Sequence, residues 1–362
     1  MRRACHIVLL ALLLTGCQLR PLTDPSNVSY VRVYVHDTGI KNLTTGVFNS
    51  DFVRPDYQKP EVLRVALYDS YTGNLAAERY LRNQGDDALG HYYDGYIVAA
   101  PGKYSLRAYN FGTESTIVGN EYNWYEAYAY TNQVSPSLTT KFKGATRVTD
   151  GSKAGEATRS PDEPIRWDPD PFFVANATDI VVPVHQSLDT LKTVDNKAYF
   201  DAGNVVKEYF LQVGVSGVEY VSSTVALLTG MASSMRLYDG DISAAEPATL
   251  YLEMKSGSYP DGVYKGLNDY HCIYCTFGTF GRLDSKQNLL QLSFEFATIY
   301  GVNYEVSLDV EPEFLKEDAT DRQWLLIDKI ISIPEPPEQP ASGGGLLPSV
   351  YDWDDINSEI VI

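Results

Sequence analysis

Cys17 carries the plainest chemistry in the chain, because it closes the run Leu14-Thr15-Gly16-Cys17 directly behind an apolar stretch. Two small residues before a cysteine suit a signal peptidase, and the Cys17 thiol accepts diacylglycerol; the pattern resembles the bacterial lipobox. Upstream, Arg2 and Arg3 precede an apolar run from Ile7 to Leu14. That run has the charged and apolar regions of an export signal and is too short to span a bilayer. The reading is therefore a signal peptide over 1–16, lipidation of Cys17 at the mature N-terminus, and a short polar tether over 17–26. Acyl chains contribute about 0.8 kcal/mol per buried methylene, so a thiol carrying several of them is a lasting membrane anchor.

Other residue clusters carry weaker chemical signals. His271, Cys272 and Cys275 form an H-C-x-x-C cluster that could supply three soft metal ligands, but no second cysteine pair follows. Residues three apart on a strand face opposite sides, which favours two separate thiols; a disulfide formed after export is the other reading. Asp168 and Asp170 sit beside Trp167, and Asp352, Asp354 and Asp355 surround Trp353. Carboxyl pairs beside an indole suit glycoside hydrolysis or sugar stacking. Among 47 acidic residues such neighbours arise by composition, and Asp168-Pro169-Asp170-Pro171 reads better as a string of turns. Asp239-Gly240-Asp241 starts like a calcium loop and lacks the downstream bidentate Glu. No nucleophile elbow, Gly-rich phosphate loop or H-E-x-x-H helix occurs, and once His6 leaves with the signal four scattered His remain. The expectation is a protein with no catalytic residue, no cofactor and no metal.

Strands must position whatever these residues do. The 362 residues carry a formal charge of -18, which removes nucleic acid as a partner, since affinity for phosphate backbones rests on Lys and Arg. After Ser26 the dominant hydrophobic period is two. It appears at Val31, Val33 and Val35; at Leu63, Val65 and Leu67; at Tyr104, Leu106 and Ala108; and in the second half at Leu211, Val213 and Val215, Leu250, Leu252 and Met254, Leu290 to Phe296 and Tyr304 to Val310. Tyr92 to Ala99, just before Pro101-Gly102, reads as the hairpin partner of the strand from Tyr104. Val225 to Met231 fits a buried strand or a short helix, and Glu313 to Ala319 one or two helical turns. Many short strands separated by turn formers predict an all-β chain of two antiparallel β-sandwich domains in tandem.

The expected domains are 27–185, including a flexible loop over 135–171, and 186–333. A Pro and Gly linker follows over 334–348, then a terminal strand within 349–362, where Ile356, Ser358, Ile360 and Ile362 share a face. Lys141, Lys143, Arg147, Lys153 and Arg159 in the polar stretch from Ser135 make it the expected site of first tryptic cleavage. The chain also holds 27 Tyr. These either fill solvent-side strand positions or form a binding face, since Tyr gives large contact area at low entropic cost.

A cysteine at a lipobox, two β-sandwich halves, Pro101-Gly102-Lys103-Tyr104 leading into Arg107-Ala108-Tyr109-Asn110, Leu228-Thr229-Gly230-Met231, Thr276-Phe277-Gly278, and a Gly-rich linker before Asp352-Trp353 occur together. This set resembles the Bacteroidales fimbrial anchor lipoproteins over nearly the whole mature chain. The resemblance implies two transthyretin-like β-sandwiches and a non-enzymatic role: holding the base of a fimbrium, and so its shaft subunits, in the outer membrane through lipid on Cys17. A glycan-binding surface lipoprotein is the alternative that the Trp and Tyr content supports.

Overall fold

The computed structural model describes residues 28–37, 59–135, 164–184, 197–258, 271–283 and 290–336. Cys17 with its flanks, the 136–163 stretch, and the segment holding Trp353 and the expected terminal strand lie outside the described residues.

The strands of the first half are β1 (Ser29–Asp37), β2 (Val62–Asp69), β3 (Leu75–Leu81), β4 (Asn83–Asp87), β5 (Gly90–Ala99), β6 (Gly102–Phe111), β7 (Thr116–Gly119), β8 (Tyr128–Thr131), β9 (Ile165–Trp167), β10 (Phe173–Val182) and β11 (Lys197–Asn204). Those of the second are β12 (Lys207–Ser216), β13 (Val221–Ala232), β14 (Ser234–Arg236), β15 (Pro247–Ser258), β16 (His271–Thr279), β17 (Gln291–Thr298), β18 (Asn303–Asp309) and β19 (Trp324–Ser332). Two short helices, α1 (Glu311–Phe314) and α2 (Glu317–Asp321), precede β19.

The first sheet runs β3-β2-β6-β10-β11-β1-β5-β4. Its two edge strands are separated in sequence by Arg82 alone, which requires the sheet to curl until its edges meet. The inner faces close over Val33, Val35, Leu63, Val65, Leu67, Ile97, Leu106 and Ala108. The second sheet runs β18-β17-β13-β15-β16-β12-β19 around Leu211, Val213, Leu228, Leu252, Phe294, Phe296 and Leu308, and Phe314 of α1 and Ala319 of α2 join this core. Alternate residues along each strand point inward, so the period of two follows from burial of one face. The architecture is all-β, two curled antiparallel sandwiches in tandem, with parallel pairs where β1 meets β11 and β12 meets β19. Val225 to Met231 falls within β13 as strand.

Three sequence expectations change. Tyr92 to Ala99 is not the hairpin partner of β6: β5 pairs with β1 and β4, while β6 pairs with β2 and β10. Pro101 therefore carries the chain across the sandwich from one layer to the other. Alternation reports which residues face the core, and Ile97 and Leu106 do face the same core, from opposite walls. Second, β11 pairs with β1 and β10, so strands change sheet at Val205-Val206 and not at the division expected between 185 and 186. Third, the end of the 135–171 stretch is no free excursion, because β9 within it pairs in parallel with β15 of the second sheet.

The halves also share a small sheet, β14-β8-β7, in which Ser234, Met235 and Arg236 pair with Tyr130, Ala129 and Tyr128. It covers the outer face of β6 and β10 through Ala129, Met235 and Leu237 packed against Tyr109, Phe172 and Val174. Two crossovers of strand between the halves leave them interlocked.

Candidate functional site

The strut that joins the two sheets is the turn string Asp168-Pro169-Asp170-Pro171 between β9 and β10. Asp170 Oδ2 accepts the backbone N–H groups of Ser115 (2.6 Å) and Thr116 (3.0 Å), capping the start of β7. The Ser115 hydroxyl donates to the carbonyl of Asp168 at 2.7 Å and accepts from the Asp170 N–H at 3.2 Å. On the other side Gly278 of β16 donates its N–H to Asp168 Oδ2 at 3.0 Å. Only glycine permits this approach, since a Cβ at position 278 would lie 2.2 Å from the Pro169 carbonyl oxygen. Beyond the strut, Asn110 donates from Nδ2 to the Pro171 carbonyl and accepts the Phe173 N–H, fixing the entry into β10.

A cleft of about 520 Å³ lies against this strut, lined by Trp167, Asp168, Asp170, Glu114, Glu208 and Thr276 among others. Burial pushes the Asp168 carboxyl from its ordinary 3.8 up to about 6; the Gly278 N–H opposes that rise, and the charges of Asp170 and Glu253 add to it. One carboxyl that titrates closer to neutrality beside a second carboxyl is the arrangement an acid–base pair needs. The structure does bring together the two acids that the sequence singled out. Their hydrogen bonds, however, go to backbone N–H groups on both sides of the junction, and the Ser115 hydroxyl is engaged as donor and acceptor. The residues lining the cleft include no His, Lys, Arg or Cys. Chemically this is a clamp between sheets.

The other clusters resolve similarly. Cys272 and Cys275 lie on β16 as free, buried thiols on opposite faces: Cys272 packs with Phe210 and Trp324, Cys275 with the second core. Burial pushes the Cys272 thiol up to about 11 against a hydrogen bond from Gln212, and raises Cys275 further, so both are poor nucleophiles. Among the described residues no group of three or more His, Cys, Asp or Glu side chains is placed to hold a metal ion. The Asp239 and Asp241 carboxylates are occupied by Arg236, at 2.6 to 3.2 Å, and Asp241 also accepts the Ser243 N–H and hydroxyl. No described helix is long and apolar enough to cross a membrane.

The tyrosines fall into two groups. Tyr30, Tyr34, Tyr92 and Tyr96 line the outer face of β1 and β5, where Tyr34 stacks on Tyr92 at 4.5 Å and Tyr30 meets Tyr96 edge-on. Tyr71, Tyr122, Tyr125 and Tyr238 instead stand out from loops. Sequence reasoning missed the buried arginines. Arg107 is fully buried on β6, with its guanidinium 4.4 Å from the centre of the Trp124 ring and hydrogen bonds to Asn176 Oδ1 and the Trp124 carbonyl. Burial lowers its pKa. Arg64, also buried, holds Glu78, Glu121 and the Tyr109 hydroxyl. The available signal was that both arginines stand in phase with outward-facing strand positions, which would be solvent-exposed in a sheet with no cover.

Comparison with known proteins adds a family to this geometry. The chain is 26% identical over 247 residues to a Bacteroides ovatus protein named as a candidate fimbrium anchoring subunit, Fim4B. That match takes in 68% of this chain and 58% of the relative, so the chain spans little more than half of the relative's length. Among solved structures, a Bacteroides ovatus protein described as a candidate adhesin shares the fold, with 20% identity, a TM-score of 0.52, and coverage of 89% of this chain and 99% of that one. The fimbrial anchor protein Mfa2 of Porphyromonas gingivalis matches at 14% identity and a TM-score of 0.41, over 84% and 90% of the two chains. The family model described as a domain of unknown function, DUF5119, matches residues 51–253, most of the first sandwich and the start of the second, and the chain belongs to that family.

Proposed function

We propose that this protein is a fimbrial anchor or accessory subunit: a non-enzymatic lipoprotein held in the outer membrane by acyl chains on Cys17, whose β-sandwiches retain a filament at the cell surface. The observation that carries the reading is the similarity over 247 residues to a protein named for fimbrium anchoring. The lipobox at Leu14 to Cys17 supports the membrane end. The mechanical end is supported by the interlock. A body whose halves exchange β9 and β14 and are clamped through Asp168, Asp170 and Gly278 passes tension through several hydrogen-bonded strands at once, where a single peptide linker would yield. The division into domains follows the change of sheet at Val205-Val206, and the partners are filament shaft subunits. Purification of the tagged protein from detergent-solubilised outer membrane tests this: a shaft subunit should accompany it in comparable amount. Recovery from the membrane with no filament protein would contradict the proposal.

A further inference from the structure

Three loops meet at one end of the first sandwich. They are the turn from Asp69 to Asn74 between β2 and β3, the segment from Asn120 to Ala127 before β8, and the loop from Leu237 to Asp241 after β14. Backbone hydrogen bonds zip the first two together, Leu75 N–H to the Tyr122 carbonyl and Trp124 N–H to the Gly73 carbonyl, both at 2.8 Å. Leu237 N–H binds the Ala127 carbonyl at 2.9 Å, and Asn176 Nδ2 holds the Leu237 carbonyl at 2.6 Å, which brings in the third. The three present Tyr71, Tyr122, Tyr125 and Tyr238 with 99%, 64%, 52% and 42% of their surface exposed. Exposure this large on four rings is not explained by packing, because none of them closes a core.

The loop backbones and the rings of Tyr125 and Tyr238 are held in place. Gly73, at φ 72, leaves room for Tyr125 to lie against the backbone; a Cβ there would come within 3.1 Å of the ring. Asn123 Oδ1 accepts the Tyr125 and Glu126 N–H groups, and Asp69 Oδ1 accepts those of Tyr71 and Thr72. Tyr238 meets Tyr125 edge-on at 5.2 Å and leans on buried Trp124, which Arg107 fixes from below. Loops pre-formed in this way lose little entropy on binding.

From this surface we infer a binding site for a neutral polysaccharide. Flat phenol rings suit the C–H faces of sugars, and the surrounding groups are polar: the amides of Asn74 and Asn123, the Asp69 carboxylate, and the ion-paired Arg236, Asp239 and Asp241. Asp69, Asp239 and Asp241 would repel an acidic chain. The exposed Leu, Ile and Val side chains of the described residues all lie on other segments, so the rings stand among polar groups. The inference goes beyond anchoring and does not depend on it.

Affinity electrophoresis of the mature protein through gels containing laminarin, amylopectin, yeast mannan, arabinogalactan or polygalacturonate tests it. At least one neutral polymer should retard the wild-type protein, and Tyr125→Ala and Tyr238→Ala should each weaken the retardation about tenfold, the scale of one lost stacking contact. Tyr80→Ala, on a different exposed ring, should leave it unchanged, and unaltered melting of each variant would show that folding is intact. No retardation by any neutral polymer, retardation by polygalacturonate alone, or retardation indifferent to both substitutions would overturn the inference. So would loss of shaft-subunit capture in the Tyr125 and Tyr238 variants without any glycan effect, which would mark the surface as a protein interface.

Discussion

Replacing Asp168 by Asn removes a charge from the clamp while keeping an oxygen to accept the Gly278 N–H. Folding moves this carboxyl from an ordinary 3.8 to about 6, because its surroundings disfavour the ionised form. A group whose folded pKa is raised binds its proton more tightly in the native state. Its contribution is therefore fully present below the unfolded value and is lost as pH rises through the folded one. Across the interval from 3.8 to about 6, at about 1.4 kcal/mol per unit, the loss is about 3 kcal/mol. Solvent reaching the cleft side of Asp168 reduces that to about 1–2 kcal/mol. Asp168→Asn should thus match wild type at about pH 4 and exceed it by about 1–2 kcal/mol above about pH 7. Urea unfolding followed by tryptophan fluorescence at a series of pH values gives the difference curve, in which carboxylates common to both proteins cancel. A variant less stable than wild type at neutral pH, or a difference that does not change with pH, would refute the reasoning.

The rest of the clamp and the buried network make further predictions. Asp170→Ala orphans the Ser115 and Thr116 N–H groups and should cost about 1–3 kcal/mol in the same urea assay. Gly278→Ala drives a methyl into the Pro169 carbonyl and Val206, so the expected loss is about 1–3 kcal/mol or more, read as a lowered melting temperature. Arg107→Leu strips the Trp124 carbonyl and Asn176 of a donor; destabilisation of about 2–4 kcal/mol with altered tryptophan emission is expected. Trypsin should cut first between Lys141 and Arg159, and the two fragments should still elute together from a sizing column, because β10, β11 and β14 of the later fragment pair with β6, β1 and β8 of the earlier one; separate elution without denaturant would remove the interlock from the account.

Much of the fold was legible because a one-sided strand must alternate: Leu292, Phe294 and Phe296, or Tyr304, Val306 and Leu308, could be read as core positions directly. Strand partners were not legible. Both β5 and β6 carry inward alternation whether they pair or face each other, so the arch at Pro101 looked like a hairpin. The cover that β7, β8 and β14 provide was hidden for a related reason. Arg64 and Arg107 have the type and phase of solvent-facing residues, and the segment leading into β8 covers them through Glu121 and Trp124. Asp168 and Asp170 were noticed as acids beside Trp, but their partners Ser115 and Gly278 lie 53 and 110 residues away, beyond the reach of any local motif. The loop tyrosines were visible as the run from Tyr122 to Tyr130; that Tyr71 and Tyr238 join two of them is a matter of topology.

The central claim is that Cys17 ties a filament to the membrane. The most direct measurement is the partition of filaments between cells and medium when Cys17 is replaced by Ala in the native organism, counted by electron microscopy and quantified by immunoblot of the shaft subunit. The account predicts that the variant takes up no labelled palmitate and that filaments appear in the medium in place of the cell surface. Filaments that stay on the cells as in wild type, with the label absent from the variant, would contradict it.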